Sequence, residues 1–155
     1  MQVSRGTILL VDDNPDDIEL ALHAFRINGI ANPVAVRQDG QTAGDYLFRE
    51  DGPLPALVLL DINLPKISGL QLVEEIRRHA RTRLVPVVML TTSRDERDIV
   101  RSYAAGANSY IVKPLDFTHF SDVIRQIGAY WLTLNEAAQQ EDENAHVAAN
   151  TGADR

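Results

Sequence analysis

Four apolar runs in this chain each end in charged or hydroxyl-bearing side chains. The runs end at Asp12 and Asp13, at Asp61, at Thr91 and at Lys113. Strands of a parallel sheet are buried on both faces and therefore read as continuous apolar runs. Ligands of such sheets bind beyond the carboxyl ends of the strands. We therefore expect these five side chains to meet at one edge of a parallel sheet, where acids beside an amine and a hydroxyl indicate that one carboxylate accepts phosphate.

Strand-like runs alternate with helical patterns five times along the chain. The predicted strands cover residues 7–11, 34–36, 56–61, 87–90 and 109–112. This alternation predicts an α/β fold with a parallel sheet and right-handed crossovers. Five units suit a doubly wound, flavodoxin-like (βα)5 sheet with strand order 2-1-3-4-5. Strands 1 and 3 flank the switch point of that order, so Asp12, Asp13 and Asp61 are expected there.

Several helix ends can be predicted from local signals. Pro15 fits the first position of a helix, and Asp16 and Asp17 suit its first turn, where the helix dipole favours acids. Two capping boxes are expected, Ser68 with Gln71 and Ser93 with Glu96. Glycine in the left-handed conformation is expected to end two helices, at Gly29 and Gly106.

Length and composition favour a single compact domain. The chain has 155 residues, enough to bury a core without covalent staples. We expect one domain over residues 1–134 and a polar, acidic tail over residues 135–155, which is either disordered or an extension of the last helix. Cysteine is absent, which excludes disulfides and Cys-ligated metal sites. The four histidines lack the spacing of a helical metal pair.

The charge pattern argues against two classes of partner. The formal net charge is −7, and residues 135–155 carry five acids and one base. Nucleic-acid binding is not expected, because it needs a basic face that displaces counterions. The longest apolar run, residues 56–60, is too short to span a bilayer, and the first six residues lack a signal-peptide core. We therefore expect a cytoplasmic protein without membrane association.

The motifs in combination resemble the receiver domain of two-component response regulators. They are Val-Asp-Asp at 11–13, Leu-Leu-Asp-Ile-Asn-Leu-Pro at 59–65, Gly69, Leu-Thr-Thr at 90–92 and Gly-Ala-Asn-Ser-Tyr-Ile-Val-Lys-Pro at 106–114. We expect no output domain after these motifs, and the runs at 13–17 and 130–132 resemble those of single-domain regulators associated with bacterial phytochromes. The resemblance implies a histidine kinase as partner, with a bacteriophytochrome as the candidate.

Asp61 is the predicted phosphoacceptor, a carboxylate that attacks a phosphoryl group carried by a kinase histidine. Unit charges about 4 Å apart repel by roughly 4 kcal/mol at an effective dielectric of about 20, so the site needs a cation. Oxygen ligands suit Mg²⁺. The resemblance implies carboxylates from Asp13 and Asp61, the backbone carbonyl of Asn63 and a water-mediated contact to Asp12. Alternatively, Asp12 and Asp13 are turn acids that precede a helix.

Three further residues have roles implied by the resemblance. Lys113 would bind a phosphoryl oxygen, and its bond to Pro114 is expected to be cis. Thr91 would donate its hydroxyl to another phosphoryl oxygen, and Tyr110 would turn inward as Thr91 moves. The alternatives are a solvated surface lysine, a threonine chosen for β-propensity and a half-buried strand tyrosine.

The last helix has more apolar residues than one core face requires. One stripe, expected to cover the sheet, consists of Phe120, Ile124, Ile127 and Trp131. Apolar residues outside the stripe are Phe117, Val123, Tyr130 and Leu134. A helix that is apolar on more than one face indicates a partner surface, and we expect a homodimer through it. Gly128 would cost about 1 kcal/mol relative to alanine unless close packing requires it.

Two other functions fit parts of the pattern. A magnesium-dependent phosphatase with an aspartyl-phosphate intermediate, of the haloacid-dehalogenase type, would carry its nucleophile after strand 1 in an Asp-x-Asp pattern. Here the acids are adjacent and the isolated aspartate follows strand 3. A flavodoxin-like or nucleotide-binding domain would need glycines after strand 1, where the chain is acidic. We therefore expect a signalling module that catalyses only its own phosphorylation and dephosphorylation, and not an enzyme for an external metabolite.

Overall fold

The computed structural model describes residues 6–138 and contains one five-stranded parallel sheet. The strands, in chain order, are β1 (Ile8–Val11), β2 (Val34–Arg37), β3 (Leu57–Leu60), β4 (Val87–Thr91) and β5 (Ser109–Val112). Their order across the sheet is β2-β1-β3-β4-β5, and all neighbouring pairs are parallel. The predicted doubly wound flavodoxin-like fold is confirmed.

A helix follows each strand, and each of the first four helices returns the chain to the start of the next strand. The helices are α1 (Pro15–Ile27), α2 (Gly40–Leu47), α3 (Gly69–Arg78), α4 (Glu96–Ala105) and α5 (Phe117–Ala129), and α5 continues into a π-helical segment (Tyr130–Leu134). Within residues 6–138, no helix combines the length and the apolar composition that a bilayer crossing requires.

The core lies on both faces of the sheet, and alternate strand residues contribute to each face. In β1, Ile8 and Leu10 pack into one cluster with α1 and α5, whereas Leu9 and Val11 pack into another with α2 and α3. All four residues are at most 2% exposed. Burial on both faces is the reason that this strand lacks a polar alternation. Because Val11 pairs with Leu60 across β1 and β3, the residues that follow these two strands lie side by side.

Local capping explains most of the helix starts, with one correction. The Asn14 side chain accepts hydrogen bonds from the backbone of Asp16 and Asp17 at the start of α1. The predicted capping box of Ser68 and Gln71 opens α3 as expected. The predicted box of Ser93 and Glu96 is wrong, because Asp95 caps α4 and the Ser93 hydroxyl instead donates to Asp98. Left-handed glycines do follow α1 and α4, at Gly29 and Gly106.

The end of the last helix differs from the predicted stripe. Phe120, Ile124 and Ile127 are buried and Trp131 packs partly buried against the same core, but the fully buried residue of the last turn is Leu132. The π-helical segment explains the difference, because it advances the buried face by one residue relative to an α-helix. Gly128 does serve close packing. A Cβ at this position would lie 2.6 Å from the Ile30 side chain.

Arg77 has a structural role that no sequence pattern predicts. Its Nε donates to the Gly106 carbonyl (2.8 Å) at the end of α4. One terminal nitrogen donates to the carbonyls of Arg83 and Val85, and the other donates to the Asn108 side chain. A cation at a helix C-terminus is favourable because it faces the negative end of the helix dipole. Arg77 therefore fastens α3 to the segments that enter β4 and β5.

Candidate functional site

The strand ends bring the predicted polar residues to one edge of the sheet. Backbone hydrogen bonds continue the ladders beyond the strands, from the Asp12 N–H to the Arg37 carbonyl (3.1 Å) and from the Asp61 N–H to the Val11 carbonyl (3.0 Å). The Lys113 N–H donates in the same way to the Thr91 carbonyl (2.7 Å). The regular hydrogen-bond pattern of the sheet therefore fixes the backbone from which each of these side chains extends.

Three carboxylates form an acidic cluster at this edge. One oxygen from each of Asp12, Asp13 and Asp61 lies within 4.8 Å of the others. Asp12 and Asp61 are buried, at 4% and 8% exposed, whereas Asp13 is exposed at the rim. Asp12 Oδ1 accepts from the Asn14 N–H (3.0 Å), and Asp61 Oδ1 accepts from the Asn63 N–H (3.3 Å). The side-chain orientations of Asp12 and Asp61 are thus set by hydrogen bonds within the loops that carry them.

The Lys113 ammonium joins the acids across the site. Its Nζ donates to Asp12 at 2.6 Å, to Asp61 at 2.9 Å and to Asp17 at 2.9 Å. The residue is only 6% exposed, which rules out the alternative of a solvated surface lysine. Burial acts to lower the pKa of Lys113. The hydrogen bonds and charges of Asp12, Asp61 and Asp17 outweigh it, so the pKa lies above its ordinary value and the amine stays charged.

Burial also governs the protonation of Asp12. Loss of hydration raises the pKa of Asp12 above its usual value, because the hydrogen bonds from Lys113 and Asn14 offset burial only in part. The negative charge of Asp61 raises this pKa further. Two buried carboxylates with one ammonium between them are therefore short of positive charge.

The donor set fits a hard divalent cation. Asp12, Asp13 and Asp61 offer only oxygen atoms, and Lys113 supplies one positive charge against these three acids. Mg²⁺ prefers oxygen ligands and needs only one or two carboxylates from the protein. The exposed carboxylate of Asp13 leaves the cluster open to solvent and to a phosphate group.

Thr91 in β4 and Tyr110 in β5 lie on the side of Asp61 that faces away from β1. Thr91 is fully buried, and its hydroxyl oxygen accepts from the Ser93 N–H at 3.4 Å. The Tyr110 hydroxyl donates to the Ser93 carbonyl at 2.9 Å. Burial raises the pKa of Tyr110 and keeps this donor protonated. The two residues are thus connected through Ser93, whose hydroxyl holds Asp98 of α4 (2.6 Å).

Two predictions about individual residues need correction, and one residue was missed. Every described peptide bond is trans, so the predicted cis bond between Lys113 and Pro114 is wrong; trans is the lower-energy form of a bond before proline by about 0.5–1 kcal/mol. Phe117 and Val123 pack partly against the core, so they are not free of it as expected. Asp17 fits a first-turn acid of α1 by its sequence position, but its carboxylate also accepts a hydrogen bond from the Lys113 ammonium.

The site contains a buried aspartate beside an acidic cluster, a lysine and a threonine, all at the carboxyl ends of a doubly wound sheet. This arrangement defines a signalling domain of the phosphoacceptor type. Residues 8–125 match the sequence profile of the family described as response regulator receiver domain. The chain therefore belongs to the response regulator receiver domain family. Members of this family act in two-component systems, are phosphorylated on an aspartate, interact with histidine kinases and generally bind Mg²⁺ at an acidic cluster.

Proteins similar to this chain include regulators that consist of a receiver domain alone. The probable methanogenesis regulatory protein FilR2 of Methanothrix harundinacea is 40% identical over 133 residues, which are 84% of this chain and 86% of that protein. The crystal structure of the phosphorylated cyanobacterial phytochrome response regulator RcpA superimposes with a TM-score of 0.82 at 33% identity, covering 88% of this chain and 100% of that one. The bacteriophytochrome response regulator AtBRR is 45% identical, with a TM-score of 0.66 and coverage of 84% and 98%.

Proposed function

We propose that this protein is a single-domain response regulator that accepts a phosphoryl group on Asp61 and signals through altered protein–protein contacts. The observation that carries the proposal is the position of Asp61. Its buried carboxylate is hydrogen-bonded at 2.9 Å to the Lys113 ammonium and belongs to the cluster with Asp12 and Asp13. Of the three acids, only Asp61 comes from the middle strand of the sheet, β3.

In the proposed reaction, a carboxylate oxygen of Asp61 attacks the phosphorus of a phosphohistidine. The new O–P bond forms as the P–N bond breaks, and its electron pair returns to the imidazole of the kinase. Lys113 balances charge on a phosphoryl oxygen from within the buried site. Asp12, Asp13, Asp61 and the backbone carbonyl of Asn63 would hold Mg²⁺. When bound, this ion neutralises the charge that gathers between carboxylates and phosphate.

The output side of the proposal uses Thr91 and Tyr110. A phosphoryl group on Asp61 would attract the Thr91 hydroxyl, which now accepts from the Ser93 N–H. Tyr110 is bonded to the carbonyl of the same Ser93, so a displacement of this loop changes both contacts. Ser93 also holds Asp98 at the start of α4. The surface of α4 and β5 would therefore differ between the two states.

The proposed phosphate donor is a histidine kinase of the bacteriophytochrome type. Support comes from the similarity to RcpA and AtBRR, which are a phytochrome and a bacteriophytochrome response regulator. A magnesium-dependent phosphatase is the weaker candidate, because the isolated aspartate follows β3 and not β1. The protein would catalyse only its own phosphorylation and dephosphorylation, and a cytoplasmic location stays a prediction. The acidic tail also stays a prediction, since residues 139–155 lie outside the described part of the chain.

The proposal is tested by phosphotransfer from purified, radiolabelled histidine kinases. We expect label to pass to this protein fastest from a bacteriophytochrome-type kinase in the presence of Mg²⁺. Borohydride reduces an acyl phosphate to an alcohol, so treatment of the product should convert residue 61 to homoserine, which mass spectrometry of peptides detects. Reduction at Asp12 or Asp13 would place the acceptor elsewhere, and transfer from no kinase of this type would remove the proposed partner.

The proposed homodimer forms through the exposed side of the last helical segment. Tyr130 and Leu134 are 51% and 58% exposed, and the partly buried Phe117 and Val123 lie in α5, which continues into the same segment. Replacement of Tyr130 and Leu134 by lysine is expected to convert a dimer to a monomer in sedimentation equilibrium, because two charges would be buried without partners. Leu84→Lys is the control, since Leu84 is equally apolar and 41% exposed but precedes β4. A monomeric wild-type protein, with and without beryllofluoride, would contradict the dimer.

A further inference from the structure

The ammonium of Lys113 has a third carboxylate partner outside the acidic cluster. An ammonium group has three N–H donors. The Nζ of Lys113 makes three hydrogen bonds, to Asp12, Asp61 and Asp17. All of its donors are therefore engaged, and Asp17 takes one of them from the first turn of α1.

Asp17 differs from the other two partners in three respects. Its side chain is 29% exposed, whereas those of Asp12 and Asp61 are 5% and 10% exposed. It does not belong to the cluster of Asp12, Asp13 and Asp61 that could hold a cation. It lies on a helix whose start is fixed, because the Asn14 side chain accepts from the backbone N–H of Asp17. Asp17 can therefore leave Lys113 for water without disturbing the cluster.

A phosphoryl group on Asp61 needs an N–H donor from Lys113, but all three N–H groups of this ammonium already make hydrogen bonds. The buried amine has no spare N–H, and its bond to Asp12 is the shortest of the three. The bond to the partly exposed Asp17 is the one that costs least to give up, because water can replace the lysine there. The charge of Asp17 also opposes the arrival of further negative charge.

We propose that Asp17 is a positioning residue that competes with the phosphoryl group for Lys113 and so weakens the phosphorylated state. This inference rests on the proposed function of Asp61 as the acceptor. Asp17 touches neither the acceptor nor the phosphoryl group and acts through the direction of the ammonium. Removing its charge weakens its hold on one donor of Lys113, because a neutral amide oxygen is a poorer acceptor for an ammonium than a carboxylate, and leaves the acids of the cation cluster unchanged.

The first test is the affinity for beryllofluoride, a phosphoryl mimic, measured by calorimetry with Mg²⁺. Asp17→Asn is expected to bind beryllofluoride about five-fold more tightly than the wild type. This is the size of effect expected when one competing, partly exposed, charged hydrogen bond is weakened. The matched control is Asp16→Asn, which removes the same charge from the neighbouring position, whose side chain makes no hydrogen bond or ion pair to a lysine within residues 6–138. An equal gain in both variants would mean a general charge effect and would overturn the inference, as would unchanged or weaker binding by Asp17→Asn.

A second readout is independent of cation and phosphate. The ammonium protons of Lys113 in the metal-free protein are expected to exchange slowly with water, because three carboxylates and burial protect them. We expect faster exchange in Asp17→Asn and unchanged exchange in Asp16→Asn, measured by ¹⁵N-detected NMR. Unaltered exchange in Asp17→Asn would overturn the inference by itself. If the wild type does not bind beryllofluoride at all, the proposed function fails. The exchange measurement still shows in that case whether Asp17 binds the Lys113 ammonium.

Discussion

Asp61→Asn is expected to eliminate phosphorylation by the kinase and by small phosphodonors. A carboxamide is a poor nucleophile for phosphorus, and it cannot form the acyl phosphate that a carboxylate forms. The substitution keeps the shape of the side chain, so the amide oxygen can still accept from Lys113. We therefore expect no incorporated label above background in an acid-precipitation assay, with the fold intact by circular dichroism.

The stability of Asp61→Asn should separate lost chemistry from lost structure. The charge of Asp61 raises the pKa of Asp12, so removing that charge relieves repulsion between buried acids. Thermal unfolding is therefore expected at a temperature equal to or above that of the wild type. Asp122→Asn, on the exposed face of α5, is the control and should retain full labelling. Retained label in Asp61→Asn would move the acceptor to Asp12 or Asp13.

The sequence was sufficient for the fold because the signal is repeated. Each strand is a short apolar run, and β1, β3 and β4 are buried throughout, which is the condition that gives such runs. The helix starts at Asn14 and Ser68 also follow from local hydrogen bonding. The box predicted at Ser93 failed because its hydroxyl has a better partner in Asp98, which a spacing rule between two other residues does not include.

The positions of site residues that directly follow strands could be predicted from the sheet topology. Positions that depend on side-chain contacts between distant parts of the chain could not. Asp12, Asp61 and Lys113 come together because each follows a parallel strand. Asp17 was missed because its contact spans 96 positions to Lys113, and a first-turn acid already has a sufficient local explanation. Arg77 binds backbone carbonyls, which leave no mark in the sequence of the partner segments. Side-chain roles at phosphate stay predictions for Thr91 and Tyr110.

Gly69→Ala is expected to destabilise the protein strongly, because α3 begins in contact with the backbone of the site. A Cβ at Gly69 would lie 2.1 Å from the Asp61 carbonyl oxygen and 2.8 Å from the Ile62 Cα. Backbone atoms cannot rotate away as a side chain can. The Gly69 N–H also donates to the Ile62 carbonyl at 2.8 Å, a bond that would lengthen. We expect a loss of roughly 3 kcal/mol in the free energy of unfolding, measured by urea denaturation.

The matched control for this substitution is Gly44→Ala in α2. A Cβ at Gly44 would meet the Phe48 ring at 3.4 Å and the Leu72 side chain at 3.9 Å, both without severe overlap, and alanine is favoured over glycine inside a helix by roughly 0.5–1 kcal/mol. Gly44→Ala should therefore be neutral or stabilising. We also expect Gly69→Ala to slow phosphorylation, because displacement of the backbone at Asp61 moves the acceptor relative to Lys113. Equal stability of the two variants would show that α3 can withdraw from Asp61 at no cost, and the rigid placement of the acceptor would then need another source.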